Sequence, residues 1–239
     1  SKFPSIISKY IRPSYNTYDM ELKNEIYHDM NMIYKTGMPH DKFICIGGDH
    51  SISIATGALS LNRHPDTKFI WIDAHADINT FSSSITKNYH GMPLSFLTKL
   101  DCNHHFQFIN KRLKFENLCY IGLRDIDRFE REVINDNKIK CIDHKIDIVL
   151  ILDNLSRFIK DSPIHISFDV DSIDPTYISS TGTKVNNGIT VYKAKLLLQY
   201  LLAKNVVGMD IVEMNMDIDK DKYETSMKNF KWLLSDILI

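Results

Sequence analysis

The segment KFIWIDAHAD, from Lys68 to Asp77, is the stretch from which the fold of this chain is predicted. Its first half, Lys68 to Ile72, is almost entirely apolar and rich in β-branched and aromatic residues, as in a strand that is covered on both faces. Its second half, Asp73 to Asp77, places polar groups directly after that strand. This order is typical of a parallel sheet, where functional groups collect at the carboxyl ends of the strands.

Other parts of the chain repeat this pattern. Four further apolar runs are predicted strands: Lys42 to Ile46, Leu118 to Leu123, Ile164 to Phe168 and Val206 to Val212. Helical patterns lie between or after them: Ser51 to Leu61, Met92 to Leu100, Asp147 to Ile159, Thr190 to Ala203 and Glu224 to Leu238. Alternating strands and helices predict an α/β fold, a three-layer doubly wound parallel sheet with helices on both faces.

The composition of the chain indicates its domain organisation and disfavours several kinds of partner. The 239 residues show no repeat or linker, so residues 1–239 are expected to form a single domain. The 29 basic and 30 acidic residues nearly balance, which disfavours nucleic acid or an anionic membrane as partner. No apolar run approaches the roughly 18 residues that span a bilayer. The four cysteines form no C-x-x-C pair, and Cys45 and Cys119 lie in apolar runs, which indicates reduced thiols and a cytoplasmic protein.

The residues that follow the predicted strands suggest a metal centre. Two imidazoles and four carboxylates are expected at one edge of the sheet: His50, Asp73, His75, Asp77, Asp169 and Asp171. D-x-H-x-D and D-x-D have a period of two, so their side chains would point the same way from extended segments. Each motif alone is more often a capping or turn aspartate. Together the carboxylates would repel one another unless cations neutralised them, and we therefore predict bound divalent metal.

The types of ligand favour manganese, with cobalt, iron, nickel or magnesium as alternatives, because hard oxygens and imidazoles are present without a thiolate. Six side chains can fill two sites only if aspartates bridge them, which would place the ions roughly 3.5–4 Å apart. A water held between the ions would lose a proton near neutral pH and attack a trigonal carbon.

Four motifs resemble those of the ureohydrolases, and among these the arginases most: GGDHS at 47–51, DAHADIN at 73–79, HGMPLSFL at 90–97 and SFDVDSIDP at 167–175. The resemblance runs from about Phe43 to Asn215. It implies an arginase-like fold and two manganese ions per subunit. It also implies hydrolysis of the guanidinium of L-arginine to L-ornithine and urea by a metal-bridging hydroxide.

The resemblance also implies a role for individual residues. His50, Asp73, Asp77 and Asp169 would hold one manganese, and His75, Asp73, Asp169 and Asp171 the other. Asp73 and Asp169 would bridge, and Asp77 would orient the hydroxide. His90 would be the proton shuttle, which suits an imidazole, although a turn histidine before Gly91 is the alternative. Glu213 would pair with the substrate guanidinium.

The residues that contact the end of the substrate remote from the guanidinium determine which related compound is bound. By resemblance, Asn79, Ser84 and Thr86 would contact an α-carboxylate, and Thr183 is a further expected contact. Asp127 and Glu130 would receive an α-ammonium, and unpaired polar groups would reject analogues that lack it. Both acids also suit the N-terminus of a helix, and the two interpretations are compatible. Agmatine or another guanidino compound is the alternative substrate.

Other features differ from the family pattern. Only 46 residues precede Gly47, and no opening strand is recognisable in Ser1 to Asp41, so we expect a shortened or incomplete N-terminal part. Tyr192 and Lys193 replace an Arg-Glu pair that many arginases use between subunits, although a homotrimer is still the implied assembly. An inactive, metal-binding relative is the alternative of another class. A single-zinc deacetylase would leave the extra aspartates without a role.

Overall fold

The computed structural model describes residues 6–8, 20–101 and 106–237, with side chains from residue 25 onward. The strands are β1 (Ile6–Ser8), β2 (Phe43–Ile46), β3 (Lys68–Ile72), β4 (Leu118–Ile121), β5 (Lys140–Ile142), β6 (Ile164–Asp169) and β7 (Val206–Val212). The helices are α1 (Met20–Gly37), α2 (Ser53–Arg63), α3 (Pro93–Thr98), α4 (Arg128–Asp136), α5 (Ile148–Ile159), α6 (Val191–Leu202) and α7 (Tyr223–Leu233).

The described strands form one sheet in the order β1-β2-β7-β6-β3-β4-β5. Every neighbouring pair is parallel. All carboxyl ends therefore lie at one edge, and β2, β7, β6 and β3, which precede the predicted site residues, are consecutive in the sheet. The predicted α/β fold is confirmed.

Helices cover both faces of the sheet. On one face, α1 to α4 pack over side chains such as Phe69 and Trp71. On the other, α5 to α7 pack over side chains such as Ile70 and Ile72. Residues 69–72 are fully buried, because successive side chains of a strand point to opposite faces and both faces are covered. Burial of each such side chain contributes about 1.5–3 kcal/mol, so the strands form a rigid base for the sheet edge.

The five predicted strands are all present, but two edge strands were missed. An opening strand was not recognisable in Ser1 to Asp41, yet β1 lies there and pairs with β2 through Ile6 and Ile44. In β5, Lys140 and Cys141 are exposed, so neither edge strand has the long apolar run of a central strand. The predicted strand Leu118 to Leu123 ends at Ile121, since Gly122 has a φ of +103° and a Cβ there would lie 2.9 Å from the Asp73 carbonyl oxygen.

The predicted helices are present with shifted ends. Helix α1 was not predicted, and α4 was indicated only through Asp127 and Glu130, which suit a helix N-terminus. A short 3-10 turn at His50–Ile52 precedes α2. Helix α3 is shorter than Met92 to Leu100, because Lys99 adopts a left-handed conformation with φ 58°. Helix α7 ends at Leu233, and the predicted end at Leu238 lies outside the described residues. None of the helices in the described ranges is long and apolar enough to cross a membrane.

Candidate active site

Two glycines bring His50 and Glu213 together at the edge of the sheet. Gly47 and Gly48, which follow β2, have φ of 114° and 73°, in the left-handed region that glycine tolerates. Gly47 N–H donates to the Ile211 carbonyl and Glu213 N–H donates to the Gly48 carbonyl, so pairing continues beyond β2 and β7. The backbone N–H of His50 then donates to Glu213 Oε1 at 2.8 Å.

The first cluster surrounds the imidazole of His50, which is 1% exposed. Its Nδ1 lies 2.8 Å from Asp77 Oδ2, 3.1 Å from Asp73 Oδ2 and 3.2 Å from Asp169 Oδ2. Its ring stacks on Trp71 with centroids 4.2 Å apart, and Trp71 Nε1 donates to Asp73 Oδ2 at 3.0 Å. One imidazole nitrogen therefore faces three carboxylates.

The second cluster surrounds His75 and shares Asp73 with the first. His75 Nδ1 lies 3.0 Å from Asp171 Oδ2 and 3.5 Å from Asp73 Oδ1. Asp73 therefore directs one carboxylate oxygen towards each imidazole, which is the geometry of a bridging ligand. Thr183 Oγ1 donates to Asp171 Oδ2 at 2.9 Å and orients that carboxylate.

The predicted side chains converge, but the predicted extended segments do not cause this convergence. Residues 73–77 are not extended, and Asp77 has a φ of 50°. After Asp169, residues Val170–Ser172 form a 3-10 turn, and Asp169 accepts a hydrogen bond from Asp171 N–H at 2.7 Å. Carboxylates that cap their own turns gather the ligands, so a period of two was the wrong geometric argument.

The electrostatics of the cluster favour bound cations. Burial and neighbouring carboxylates raise the pKa of Asp77, Asp169 and Asp171 above the usual range. For Asp73, burial acts in the same direction, but its contacts with His50 and His75 outweigh it and lower the pKa. Crowded buried carboxylates are costly without positive charge.

The donor set fits a pair of divalent metal ions. Nδ1 of His50 is buried, and among the described residues it has no hydrogen-bond partner, although carboxylate oxygens surround it. A lone pair directed at the centre of a carboxylate cluster is the arrangement of a metal ligand. Oxygen and imidazole donors without a thiolate suit manganese and similar ions.

A cavity of about 260 Å³ opens over the cluster. His90 and Glu213 line it, with His90 Nδ1 3.5 Å from Glu213 Oε1. Burial disfavours the charged imidazole, but Glu213, Asp77 and Asp49 outweigh this effect and raise the pKa of His90. The site therefore favours a protonated His90, as a proton donor requires.

The cavity also carries the predicted acidic pair. Asp127 caps α4 by accepting from Glu130 N–H at 2.9 Å, and Glu130 Oε2 accepts from Asp127 N–H at 3.3 Å. Asn79 Nδ2 donates to Asp127 Oδ2 at 2.7 Å. All three residues line the cavity, so the two acids stabilise a helix N-terminus while facing the site.

Only some of the other predicted substrate contacts line the cavity. Thr183 lines it, whereas Ser84 and Thr86 are not among the described residues that do. Ser84 Oγ instead accepts from Lys87 N–H at 3.0 Å within the loop. Asp125 lines the cavity, with Oδ2 3.8 Å from His75 Nε2, and was not predicted. Its D-x-D spacing with Asp127 is the signal that could have found it.

A parallel sheet that gathers imidazoles and carboxylates beside a cavity defines a class of α/β proteins with a metal-binding edge. The chain belongs to the arginase family, whose family model matches residues 10–237. It is 38% identical over 186 residues to the arginase of Glaciozyma antarctica, covering 72% of this chain and 54% of that protein. It is 36% identical over 190 residues to the arginase of Saccharomyces cerevisiae, covering 73% and 57% respectively. The chain thus spans about half the length of these curated relatives.

The fold agrees with solved structures of the family. The arginase of Entamoeba histolytica, solved in complex with L-ornithine, superposes with a TM-score of 0.82 at 28% identity. The match covers 94% of this chain and 80% of that one.

Proposed function

We propose that this protein is a manganese-dependent arginase that hydrolyses L-arginine to L-ornithine and urea. The observation that carries this proposal is the bridging geometry of Asp73, whose two oxygens face His50 and His75 beside a cavity that holds His90 and Glu213. The ornithine complex of the Entamoeba histolytica arginase supports this choice of product.

The proposed metal ligands divide into two overlapping sets. One set is His50, Asp73, Asp77 and Asp169, and the other is His75, Asp73, Asp169 and Asp171. When bound, a pair of divalent ions lowers the pKa of a shared water and supplies a nucleophile near neutral pH. Asp77, at 2.8 Å from His50, would orient that water by accepting its hydrogen bond.

The other residues would position the substrate and move the proton. A planar guanidinium with forked donors suits the carboxylate of Glu213. In the overall hydrolysis a water oxygen bonds to the guanidinium carbon, and the bond from that carbon to the ornithine nitrogen breaks. His90, beside Glu213, would protonate the departing amine. Asp127 and Glu130 would receive the α-ammonium, and this acidic end of the cavity favours arginine over agmatine, which lacks that group.

The remaining substrate contacts are proposed for the α-carboxylate. Asn79 lines the cavity beside Asp127, which supports its role. Ser84 and Thr86 are proposed as further contacts, although neither is among the described residues that line the cavity. Thr183 lies between Asp171 and the cavity and would contact substrate near the cluster.

The experiment compares two substrates on metal-loaded protein. Protein preloaded with Mn²⁺ should release equal amounts of urea and ornithine from L-arginine and turn over agmatine far more slowly. The Asp73→Asn variant should be inactive, whereas Asp66→Asn, an exposed aspartate outside the cavity, should match the wild type. Folded, metal-loaded wild type that forms no urea would refute the proposed reaction, and faster turnover of agmatine would reassign the substrate.

The assembly and compartment are part of the same proposal. We propose a homotrimer on the basis of the family resemblance, although Tyr192 and Lys193 replace the Arg-Glu pair that many arginases use between subunits. A cytoplasmic location is supported by free thiols at Cys45, Cys119 and Cys141 in the described part of the chain. Light scattering coupled to size exclusion tests the trimer.

A further inference from the structure

A chain of buried hydrogen bonds leads from His50 away from the cavity and into the core. His50 Nε2 lies 2.8 Å from Ser167 Oγ, which lies 3.2 Å from Ser53 Oγ. Ser53 Oγ lies 2.8 Å from Asp210 Oδ2. The four residues are at most 1% exposed, and of these only His50 lines the cavity. The proposed reaction gives no role to the other three.

Asp210 can only accept hydrogen bonds at the inner end of this chain. Its Oδ2 also lies 2.9 Å from Nε2 of His165, whose Nδ1 lies 2.8 Å from Ser60 Oγ. Burial tends to raise the pKa of Asp210, but the contacts with His165 and Ser53 outweigh it and hold the pKa below its usual range. An ionised carboxylate offers acceptors and no donor.

The single proton of each hydroxyl then fixes the direction of the chain. Ser53 donates its proton to Asp210, so it can only accept from Ser167. Ser167 donates to Ser53, so it can only accept from His50. In a neutral His50 ring the hydrogen is therefore held on Nε2, and Nδ1, which faces the three carboxylates, keeps its lone pair.

We propose that Asp210, acting through Ser53 and Ser167, is a positioning residue that sets the tautomer of His50 for binding a divalent cation. This inference rests on the metal centre of the proposed function. Partners of the second nitrogen of a ligand histidine fix its tautomer and orientation, and their loss typically weakens metal binding about 10- to 100-fold. The unusual feature here is that the orienting carboxylate lies two hydroxyls away from the imidazole.

Gly208 in β7 leaves room for Ser60 and His165, which lie beside the inner end of this chain of hydrogen bonds. A Cβ at that position would lie 2.5 Å from Ser60 Oγ and 2.7 Å from His165 Nδ1. The close approach of α2 to β6 and β7 places Ser53, Ser167 and Asp210 within hydrogen-bond distance of one another. The inner three residues of the chain of hydrogen bonds thus belong to α2, β6 and β7, and His50 lies in the 3-10 turn that precedes α2.

The test is a stepwise Mn²⁺ titration of metal-free protein, followed by calorimetry and by electron paramagnetic resonance. Ser53→Ala interrupts the chain, and Asp210→Asn keeps the shape but removes the charge. Each should weaken one of the two Mn²⁺ sites about 10- to 100-fold and replace the spectrum of a coupled pair by that of a single ion. Ser60→Ala is the matched control, because it removes a buried hydroxyl from the same helix but not from between Asp210 and His50.

The outcomes are distinguishable. Wild type and Ser60→Ala that bind two ions, with weakened binding of one ion in the other two variants, would support the proposal. Unchanged affinity in both variants would overturn it, as would an equal loss in Ser60→Ala, which would indicate general loosening of the core. Wild type that binds no Mn²⁺ would refute the metal centre of the proposed function itself. Should Ser53→Ala unfold, Asp210→Asn supplies the same comparison.

Discussion

At the residue scale, two side chains of the site lie on backbone that non-glycine residues seldom adopt. Asp77 has a φ of 50° and Glu213 a φ of 66°. Such conformations cost about 1–3 kcal/mol each and persist where the surroundings fix them. Around Glu213, the bonds from Glu213 N–H to Gly48 and from His50 N–H to Glu213 Oε1 do so. The cavity thus receives carboxylates whose directions are set before substrate arrives.

The role of His90 is tested by His90→Asn. If His90 protonates the leaving amine, kcat should fall by about 10²- to 10⁴-fold while KM changes little. Steady-state urea release from L-arginine measures both constants. His64→Asn, at the distant end of α2 and also partly buried, should behave as wild type. A kcat of His90→Asn close to that of the wild type would assign the proton to another group.

Glu130 should make the metal-free protein less stable as the pH rises. Burial, together with the charges of Asp77 and Asp127, raises the pKa of Glu130 from 4.5 to about 8. Between these values the folded state keeps a proton that the unfolded state has released. The resulting stability is complete below pH 4.5 and is lost as the pH rises through about 8.

Urea unfolding of the wild type and Glu130→Gln at several pH values measures this effect. The difference in free energy of unfolding, variant minus wild type, should increase by on the order of 1–3 kcal/mol between pH 5 and pH 9. Parallel pH profiles for the two proteins would show that Glu130 ionises normally.

At the element scale, the N-terminus of α4 combines a structural and a proposed binding role. The capping box of Asp127 and Glu130 holds the helix, and the same carboxylates face the cavity. Substitution can separate the two roles, because asparagine caps a helix as well as aspartate does but carries no charge.

Asp127→Asn should therefore keep the stability of the protein but raise KM for L-arginine. Asp127→Ala should do the same to KM and also lower the free energy of unfolding by about 1 kcal/mol, since the cap is lost. Thermal unfolding and steady-state kinetics of both variants provide the comparison. Equal KM values for Asp127→Asn and the wild type would leave the residue only its capping role.

Gly208→Ala should destabilise the protein, because β7 packs closely against α2 at this residue. The added methyl group would press against Ser60, Phe43 and His165 at 2.5 to 2.7 Å, so overpacking should destabilise the protein by about 1–3 kcal/mol. Gly182→Ala is the control, because a Cβ there meets nothing within 4 Å. Urea unfolding measures the difference in stability. Equal stabilities would show that the neighbouring side chains move aside and accommodate the methyl group.

The central elements could be predicted from the sequence, and the edges could not. Strand β3 is an almost continuous apolar run because both of its faces are covered, and this constraint is visible in the residues. Strand β5 has two exposed residues of three and leaves no such pattern. The six proposed ligand residues were predicted from their types and their place after strands. Their directions depend on turns at Asp77 and Asp169, which the period-two argument missed.

At the scale of the whole molecule, the sheet gathers like charges at one edge. The carboxyl ends of β2, β7, β6 and β3 meet there because these strands are parallel neighbours. Folding therefore brings carboxylates together that the unfolded chain keeps apart, and bound cations would offset the repulsion. The stability of the fold and the occupancy of the site should be linked.

Removal of metal should thus lower the melting temperature. Ions that bind only the folded state stabilise it by about 2.7 kcal/mol at a 100-fold excess over Kd, which corresponds to roughly 5–10 °C in a chain of this length. Thermal unfolding with EDTA and after readdition of Mn²⁺ tests this, with Asp73→Asn as the variant that should not respond. An unchanged melting temperature in the wild type would contradict the linkage.

The most direct test of the central claim is the anomalous diffraction of manganese from crystals of the Mn²⁺-loaded protein. We expect two peaks per chain roughly 3.5–4 Å apart, one beside His50 and one beside His75, with Asp73 between them. A single peak, or peaks away from these residues, would contradict it.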